Sequence, residues 1–279
     1  MSAIQRAGGW RILMLLPVGL LLLTFVVSVL QLFGAALLEG GEFSTTYFRQ
    51  ILDRPDYHVA FTRTLLTALV VALLAAVMAY PVALLLWRAG QWRNSLLIVV
   101  LVPWLVSLVV RTYGWMVVLG PKGFINEFLA WAGLIDAPLK LMFNDLGVVI
   151  GLTHVLIPFA VISTLSALLQ IDPNLEEASR ILGGNRWQTF RRVVLPLSMP
   201  GVFTGVIVIF LSTMGAIVTP ILLGGIRQHF AGTQIYQEVV YNFNLNKASA
   251  WSISLLTLSL VVLVLLKLVE RRMLKNQEV

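Results

Sequence analysis

Long apolar runs alternate with short polar intervals along the whole chain. Each of six runs comes close to the roughly 20 residues that a helix needs to cross a bilayer. The predicted spans cover 12–38, 61–87, 95–119, 147–169, 198–223 and 249–269. The first is longer than the apolar core of a signal peptide, about 7 to 15 residues, and is interpreted as a retained span. The pattern predicts an all-α integral membrane protein with six transmembrane helices.

The longest polar interval between spans, residues 172–196, predicts a helix, a break and a second short helix. Asp172 supplies an N-cap and Pro173 occupies the first helical position, where a missing N–H has no cost. Gly183 and Gly184 end this helix, because glycine adopts the left-handed C-cap conformation without a side-chain penalty.

The second helix opens with a predicted capping box. Asn185 and Gln188 have the required spacing of three residues, and apolar residues follow at helical intervals. Pro196 is expected to close this helix before the fifth span begins.

Seven residues of this interval resemble the EAA signature of the membrane subunits of binding-protein-dependent ABC importers: Glu177, Ala178, Ser179, Gly183, Val193, Leu195 and Pro196. The family more often has alanine at Ser179 and isoleucine at Val193. The resemblance implies a type I importer fold and a loop that seats in a groove of a cytoplasmic ATPase subunit, with Glu177, Ala178, Ser179, Gly183, Leu195 and Pro196 as the coupling residues. The alternative is an ordinary well-capped cytoplasmic hairpin. Small residues on an exposed helix face favour docking.

Composition excludes several other classes of protein. Charged residues make up 12% of the chain, about half of the roughly 25% usual for soluble domains, and 58% is hydrophobic. The net charge of +7 is scattered at the ends of apolar runs, which argues against a nucleic-acid partner. With no cysteine, the chain has no disulfide, thiolate metal site or cysteine nucleophile.

The distribution of basic residues predicts the orientation. If the N-terminus is inside, 12 Lys and Arg residues are cytoplasmic: Arg6, Arg11, Arg88, Arg93, Arg180, Arg186, Arg191, Arg192, Lys267, Arg271, Arg272 and Lys275. Seven are on the opposite side: Arg49, Arg54, Arg63, Lys122, Lys140, Arg227 and Lys247. This bias predicts that both termini and the interval 172–196 are cytoplasmic. The resemblance to binding-protein-dependent importers implies that the membrane is the inner membrane of a bacterium.

Two connections outside the spans have amphipathic character. The segment between the first two spans is expected on the outer surface. Phe124, Phe128, Trp131 and Ile135 recur at three or four residues, which predicts a short interfacial helix that either anchors the chain or takes part in gating or docking. Four prolines within spans predict bends: Pro81, Pro103, Pro158 and Pro220.

Arg111 and His154 are the ionisable residues well inside the predicted spans. An intramembrane charge is a functional hypothesis by default. For Arg111 the alternatives are a structural or subunit-pairing role and direct contact with solute; for His154 they are helix packing and a proton relay. Trp104, Tyr113 and Trp115 flank Arg111, and either line a path for a cation or form an interfacial aromatic belt.

A wider resemblance covers about residues 60–225. The run from Pro103 to Phe143 looks like the same region of spermidine/putrescine-type permease subunits, which implies a polyamine solute. The stretch NFNLNKASA at 242–250 lacks the aspartate-tryptophan-proline cluster associated with that branch. Another nitrogenous or anionic solute is therefore the alternative.

The chain has no G-x-x-x-x-G-K-[ST] loop and so no means of its own to hydrolyse ATP. The resemblance implies a cytoplasmic ATPase dimer that holds ATP and Mg²⁺, a second homologous permease and a periplasmic solute-binding protein; no cofactor is expected in this chain.

The predicted organisation is an N-terminal segment (1–59), a transmembrane domain (60–270) and a cytoplasmic tail (271–279). An enzyme is disfavoured because no reactive constellation is present. A passive channel or scaffold would not need the capped loop.

Overall fold

The computed structural model of the chain describes residues 3–39, 41–225 and 229–275. Two compact units are present, one of residues 1–54 with 235–256 and the other of 55–234 with 257–279. Arg227 and residues 276–279 of the predicted tail lie outside the described residues.

The first unit is built around a long N-terminal helix. Its elements are α1 (Ala3–Leu37), a two-stranded antiparallel hairpin of β1 (Leu38–Glu39) and β2 (Glu42–Phe43), α2 (Thr46–Asp53), and parts of α11 (Ala231–Val240) and α12 (Leu245–Lys275). Leu15–Leu37 is apolar and long enough to cross a membrane. Helix α2 falls within the predicted amphipathic segment and buries Ile51 while Leu52 is exposed.

The second unit holds most of the remaining helices. They are α3 (Pro55–Arg88), α4 (Arg93–Leu105), α5 (Leu108–Leu119), α6 (Phe124–Trp131), α7 (Asp145–Leu168), α8 (Pro173–Ile181), α9 (Arg186–Thr189) and α10 (Leu195–Met214). A 3₁₀ turn at Gly90–Trp92 and π-helical segments at Phe190–Val194 and Pro220–Gly224 connect or extend them.

Helices α3, α7 and α10 pack together as the core of this unit. Small residues allow the close approach: α3 carries a fully buried alanine stripe of Ala68, Ala72, Ala75, Ala79 and Ala83. On α10, a Cβ added to Gly201 would lie 2.5 Å from the carbonyl oxygen of Ser163 on α7. Because lipid gives no hydrophobic drive for helix association, such backbone proximity stabilises the bundle through van der Waals contact.

The third predicted span, 95–119, is not one continuous helix. Helix α4 ends at Leu105, Val106 is extended, and α5 begins at Leu108, so the two segments meet at 88°. Pro103 lies in the last turn of α4, where it removes a backbone donor as expected for a bend. In contrast, α3 and α7 continue without interruption through Pro81 and Pro158.

The fifth predicted span, 198–223, was wrong at both ends. The membrane-length helix runs from Arg186 to Met214, and the chain breaks before the π-helical segment that Pro220 opens. Pro196 does not close the preceding helix. The Leu195 N–H bonds to the Phe190 carbonyl five residues back, and this wider π turn lets the helix pass through a residue that has no N–H.

The expected membrane architecture is otherwise confirmed. Within the described residues, five helices are long and apolar enough to cross a membrane, or six if the bent pair containing α4 and α5 counts as one span. The predicted interfacial helix is α6, with Phe124, Phe128 and Trp131 in successive ring contacts. Ile135 lies beyond its end, after Gly133 in a left-handed conformation.

Candidate functional site: the two-helix loop between α7 and α10

The two-helix loop, residues 172–189, begins with the predicted N-cap. The Asp172 carboxylate accepts a hydrogen bond from the Asn174 N–H at 2.9 Å, and Pro173 is the first helical residue. One turn later Glu176 pairs with Arg180 at 3.4 Å on the solvent side. An exposed pair of this kind contributes at most about 0.5 kcal/mol, so the cap sets where α8 starts.

A Schellman turn ends α8, as predicted for the two glycines. Gly183 has φ +86°, its N–H bonds to the Arg180 carbonyl, and the Gly184 N–H bonds to the Ser179 carbonyl, both at 2.9 Å. A Cβ on Gly184 would lie 2.7 Å from that same carbonyl oxygen. The first glycine is required by conformation and the second by space.

The predicted capping box at the start of α9 is present. Asn185 Oδ1 accepts from the Gln188 N–H at 2.8 Å, and Gln188 Oε1 accepts from the Asn185 N–H at 2.9 Å. The hydroxyls of Ser179 and Thr189 lie 2.9 Å apart, and Thr189 is buried. The serine that replaces the more usual alanine of the signature therefore ties α8 to α9. Sequence reasoning did not identify Thr189 as its partner.

Apolar side chains form the tip of the loop. Ile181 is 80% exposed and Leu182 is 88% exposed, next to the exposed Glu177 and Ala178. Two large aliphatic side chains held in the open by a rigid turn are typical of a surface that another molecule covers. The motif did not contain Ile181 or Leu182, although both stand directly before its glycine.

An aromatic stem joins the two-helix loop to the helical core. The Trp187 and Phe190 rings stack with centroids 5.6 Å apart, and Phe190 meets the edge of Tyr80 on α3 at 6.0 Å. The Tyr80 hydroxyl lies 2.8 Å from the hydroxyl of Ser198 on α10. Ser198 is fully buried, so this bond links α3 and α10 directly beneath the loop.

The six predicted coupling residues occupy two places. Glu177, Ala178, Ser179 and Gly183 belong to the two-helix loop, whereas Leu195 and Pro196 are half-buried in the first turn of α10.

Arg111 and Trp115 lie one helical turn apart on α5 and face α7. The Trp115 ring meets His154 edge-on with centroids 5.4 Å apart, and a positive charge on His154 would be repelled by Arg111. The Arg111 Nε is buried and has no hydrogen-bond partner among the described residues. The structure thus brings Arg111, His154 and Trp115 into one cluster. The sequence predicted either helix packing or a proton relay for His154 and did not place it beside Arg111 or Trp115.

The other two predicted path residues lie elsewhere. Trp104 is on α4, beyond the 88° bend, where its ring meets Phe159 of α7 edge-on at 5.9 Å. Tyr113 is 53% exposed, two residues from Arg111 and so on a different face of α5. The three aromatic residues do not form a common cage around Arg111.

In the first unit, the turn between α11 and α12 contains a buried carboxylate. Glu238 is 5% exposed; it pairs with the Lys247 ammonium at 2.5 Å and accepts a hydrogen bond from the Asn242 amide at 2.9 Å. Residues 242–250 lack the aspartate-tryptophan-proline cluster associated with the spermidine/putrescine branch. Glu238 of α11 instead links the two sides of this turn through Lys247 and Asn242. This interaction depends on the fold and could not be predicted from the sequence.

No group of three or more His, Cys, Asp or Glu side chains in the described part of the chain is arranged to hold a metal ion.

Comparison with known proteins identifies the family. Residues 68–275 match the family described as binding-protein-dependent transport system inner membrane component. Over 226 residues the chain is 34% identical to the spermidine/putrescine transport system permease protein PotB of Escherichia coli (strain K12), covering 78% of this chain and 82% of that protein. It is also 27% identical over 205 residues to the sulfate transport system permease protein CysT of the same organism, covering 73% and 72%.

Solved structures agree on the fold. A crystal structure of a bacterial alginate ABC transporter, in complex with an alginate pentasaccharide-bound periplasmic protein, contains a chain that matches with a TM-score of 0.77 at 20% identity, over 97% of this chain and 96% of that one. An inward-facing MetNI methionine ABC transporter matches with a TM-score of 0.54 over 77% of this chain. The chain therefore belongs to the binding-protein-dependent transport system inner membrane components: it is a multi-pass inner membrane permease with the type I ABC importer fold, and it is not an enzyme.

Proposed function

We propose that the chain is one permease subunit of an ATP-driven importer for a polyamine of the spermidine/putrescine type. The observation that carries this proposal is the 34% identity to PotB, which extends over 78% of the chain and includes both the core helices and the two-helix loop. A short motif alone would support only the family.

The two-helix loop is the proposed contact with the ATPase. Both of its helices are capped, its central turn is hydrogen-bonded on both sides, and its tip exposes Ile181 and Leu182. A rigid apolar tip binds with a small entropic cost because little has to be ordered on docking. The contact made by a single loop nevertheless buries less surface than the roughly 1,200 Å² usual for stable interfaces. This favours an assembly in which two permeases share an ATPase dimer.

Movement of the ATPase would reach the spans through the aromatic stem. The Trp187–Phe190 stack carries displacement of α9 to Tyr80, and the hydroxyl bond to Ser198 ties α3 to α10. Cores of this kind shift between discrete packings instead of deforming smoothly. In the proposed cycle, ATP binding closes the ATPase dimer, opens the path outward to a periplasmic binding protein, and hydrolysis resets it.

The complex is proposed to contain a second homologous permease, with ATP and Mg²⁺ bound by the ATPase subunits and no cofactor in this chain. We propose that both termini and the two-helix loop lie in the cytoplasm, because the segments on their side of the membrane hold 12 of the basic residues and the opposite side holds seven.

An anionic solute is the second candidate. The cluster of Arg111, His154 and Trp115 carries the positive charge of Arg111, whose buried guanidinium Nε is unpaired among the described residues. The similarity to CysT, a sulfate permease, points the same way but is weaker, at 27% identity. For a polyamine, Arg111 would pair with a carboxylate of the second permease, which would also supply the acidic side chains that the spans of this chain lack.

Reconstituted vesicles separate the two candidates. The whole complex is placed in liposomes with ATP inside, and uptake of labelled spermidine and of labelled sulfate is measured with the cognate binding protein. Spermidine uptake that requires ATP supports the proposal. Uptake of sulfate alone would replace the polyamine by an anion, and uptake without ATP would contradict the importer mechanism.

A further inference from the structure

A shallow groove of about 600 Å³ lies between the end of α3 and the start of α9. Six residues line this Arg88–Arg186 groove: Leu84, Leu85, Arg88, Arg186, Trp187 and Phe190. Arg88 is the last residue of one membrane-length helix and Arg186 is the first of another. The groove therefore lies where two spans leave the same side of the membrane.

The two guanidinium groups of the groove are not neutralised by the chain. Neither Arg88 nor Arg186 has a carboxylate within ion-pair distance in the part of the chain that the structure describes. The Arg88 guanidinium carbon lies 5.8 Å from the centroid of the Trp87 ring, and this cation–π contact leaves the positive charge in place. Glu176 and Glu177 line an adjoining cavity that Arg88 and Arg186 also border, but neither carboxylate reaches ion-pair distance of these two arginines, and Glu176 is paired with Arg180.

A third arginine strengthens the positive potential at this end of α3. Arg93 donates hydrogen bonds to the carbonyl oxygens of Leu86, at 3.2 Å, and Trp87, at 3.1 Å. It thereby caps the helix carbonyls that would otherwise repel an anion. The lining is thus cationic at Arg88 and Arg186, the ends of the two spans, and apolar at Leu84 and Leu85, one helical turn further into the first span.

We propose that the Arg88–Arg186 groove binds an anionic phospholipid. Its phosphate would sit between the two guanidinium groups, which match phosphate geometry with paired N–H donors, and an acyl chain would lie along Leu84 and Leu85. Basic pockets between transmembrane helices recognise anionic headgroups in this way. Trp187 is exposed and is the second residue of a membrane-length helix, and amphipathic rings of this kind are favoured at a membrane surface.

This assignment gives the lipid a place beside the aromatic stem. Phe190 lines the groove and also contacts Tyr80 and Trp187. An anionic lipid bound there would hold the stem from its membrane side, so lipid composition would influence coupling without any change in the solute path.

The test measures lipid retained by the complete complex. Wild type, Arg88→Gln/Arg186→Gln and a control, Arg192→Gln, are purified in mild detergent from the same membranes, and phosphatidylglycerol and phosphatidylethanolamine are quantified per complex. Arg192 is an exposed arginine of the same loop region that does not line the groove. Two lost contacts should weaken anionic-lipid binding about 30-fold, with no loss in the control.

A second pair of measurements covers the possibility that the double variant misfolds. Arg88→Lys/Arg186→Lys keeps the charge and should retain phosphatidylglycerol. In native mass spectrometry of wild type, added phosphatidylglycerol should displace phosphatidylethanolamine. Equal retention of both lipids by wild type and the Gln variant would overturn the proposal. Loss of the lipid when the ATPase binds would also overturn it, because the ATPase would then be the occupant of the groove.

Discussion

At the scale of single residues, the two-helix loop depends on backbone conformations that few side chains tolerate. Gly183 is left-handed and has open space around its Cβ position, whereas Gly184 is in ordinary backbone space but touches Ser179. The signature shared with the family contains Gly183 and not Gly184. Gly183 is therefore required for its backbone conformation, and Gly184 for the space that a side chain would need.

We predict that Gly183→Val abolishes ATP-driven uptake while the complex still inserts in the membrane. A β-branched residue at φ +86° costs about 1 to 2 kcal/mol or more, which would unwind the turn that presents Leu182. Gly183→Asn is the control, since asparagine adopts this conformation readily, and it should retain most uptake. If Gly183→Asn were as inactive as Gly183→Val, the position would matter for contact with the ATPase and not for its conformation.

At the scale of elements, the loop was largely predictable and the spans next to it were less so. Asp172, the glycine pair and the capping box act through local hydrogen bonds, so their pattern is written in adjacent residues. The end of the second helix was predicted wrongly because a proline normally stops a helix. Here the helix continues through Pro196 because a π turn precedes it, and no pattern in the adjacent residues predicts a π turn.

Contacts between elements explain the rest of what sequence reasoning missed. The Arg111–His154–Trp115 cluster needs α5 to lie against α7, and the position of α5 follows from the 88° bend. Likewise, the hydroxyl of Ser179 bonds to that of Thr189, and the hydroxyl of Tyr80 bonds to that of Ser198, 118 residues away along the chain. Apolar periodicity fixes which segments are helices, but it does not specify which polar residues meet.

A paired substitution tests the packing of α7 on α10. Gly201→Ala places a methyl group 2.5 Å from the Ser163 carbonyl oxygen, and we expect it to destabilise the unit by about 1 to 3 kcal/mol through overpacking. Gly114→Ala on α5 meets no atom within 4 Å and should be neutral or slightly stabilising. Thermal unfolding of the purified complex in detergent measures both. Equal midpoints for the two variants would show that the α7–α10 contact is looser than described.

The bond between α3 and α10 has its own prediction. Tyr80→Phe keeps the ring contact with Phe190 but removes the hydroxyl that meets Ser198, so we expect less solute moved per ATP hydrolysed. Loss of one neutral hydrogen bond costs about 1 kcal/mol, too little to unfold the bundle. Uptake and ATP hydrolysis are measured in the same vesicles, with Tyr241→Phe as the control for removing an exposed tyrosine hydroxyl. A fall in both rates with an unchanged ratio would indicate lower stability and no role in coupling.

At the scale of the whole molecule, every proposal about energy transfer depends on which side of the membrane the loop faces. The fold shows that the loop lies at the ends of α3 and α10. The side of the membrane on which these ends lie is predicted only by the distribution of Lys and Arg residues. The absence of cysteine makes the assignment directly testable, because an introduced cysteine is the one thiol in the chain.

We predict opposite labelling for two single-cysteine variants in intact spheroplasts treated with a membrane-impermeant maleimide. Leu182→Cys, at the 88% exposed tip, should react only after the membrane is opened, because it faces the cytoplasm. Asp136→Cys, exposed in the connection between α6 and α7, should react at once from outside. The variants are expressed without the ATPase subunits, which would cover Leu182; both positions are then exposed, so a difference between them reports the membrane and not burial. Immediate labelling of Leu182→Cys would place the loop outside, where no ATPase could drive it.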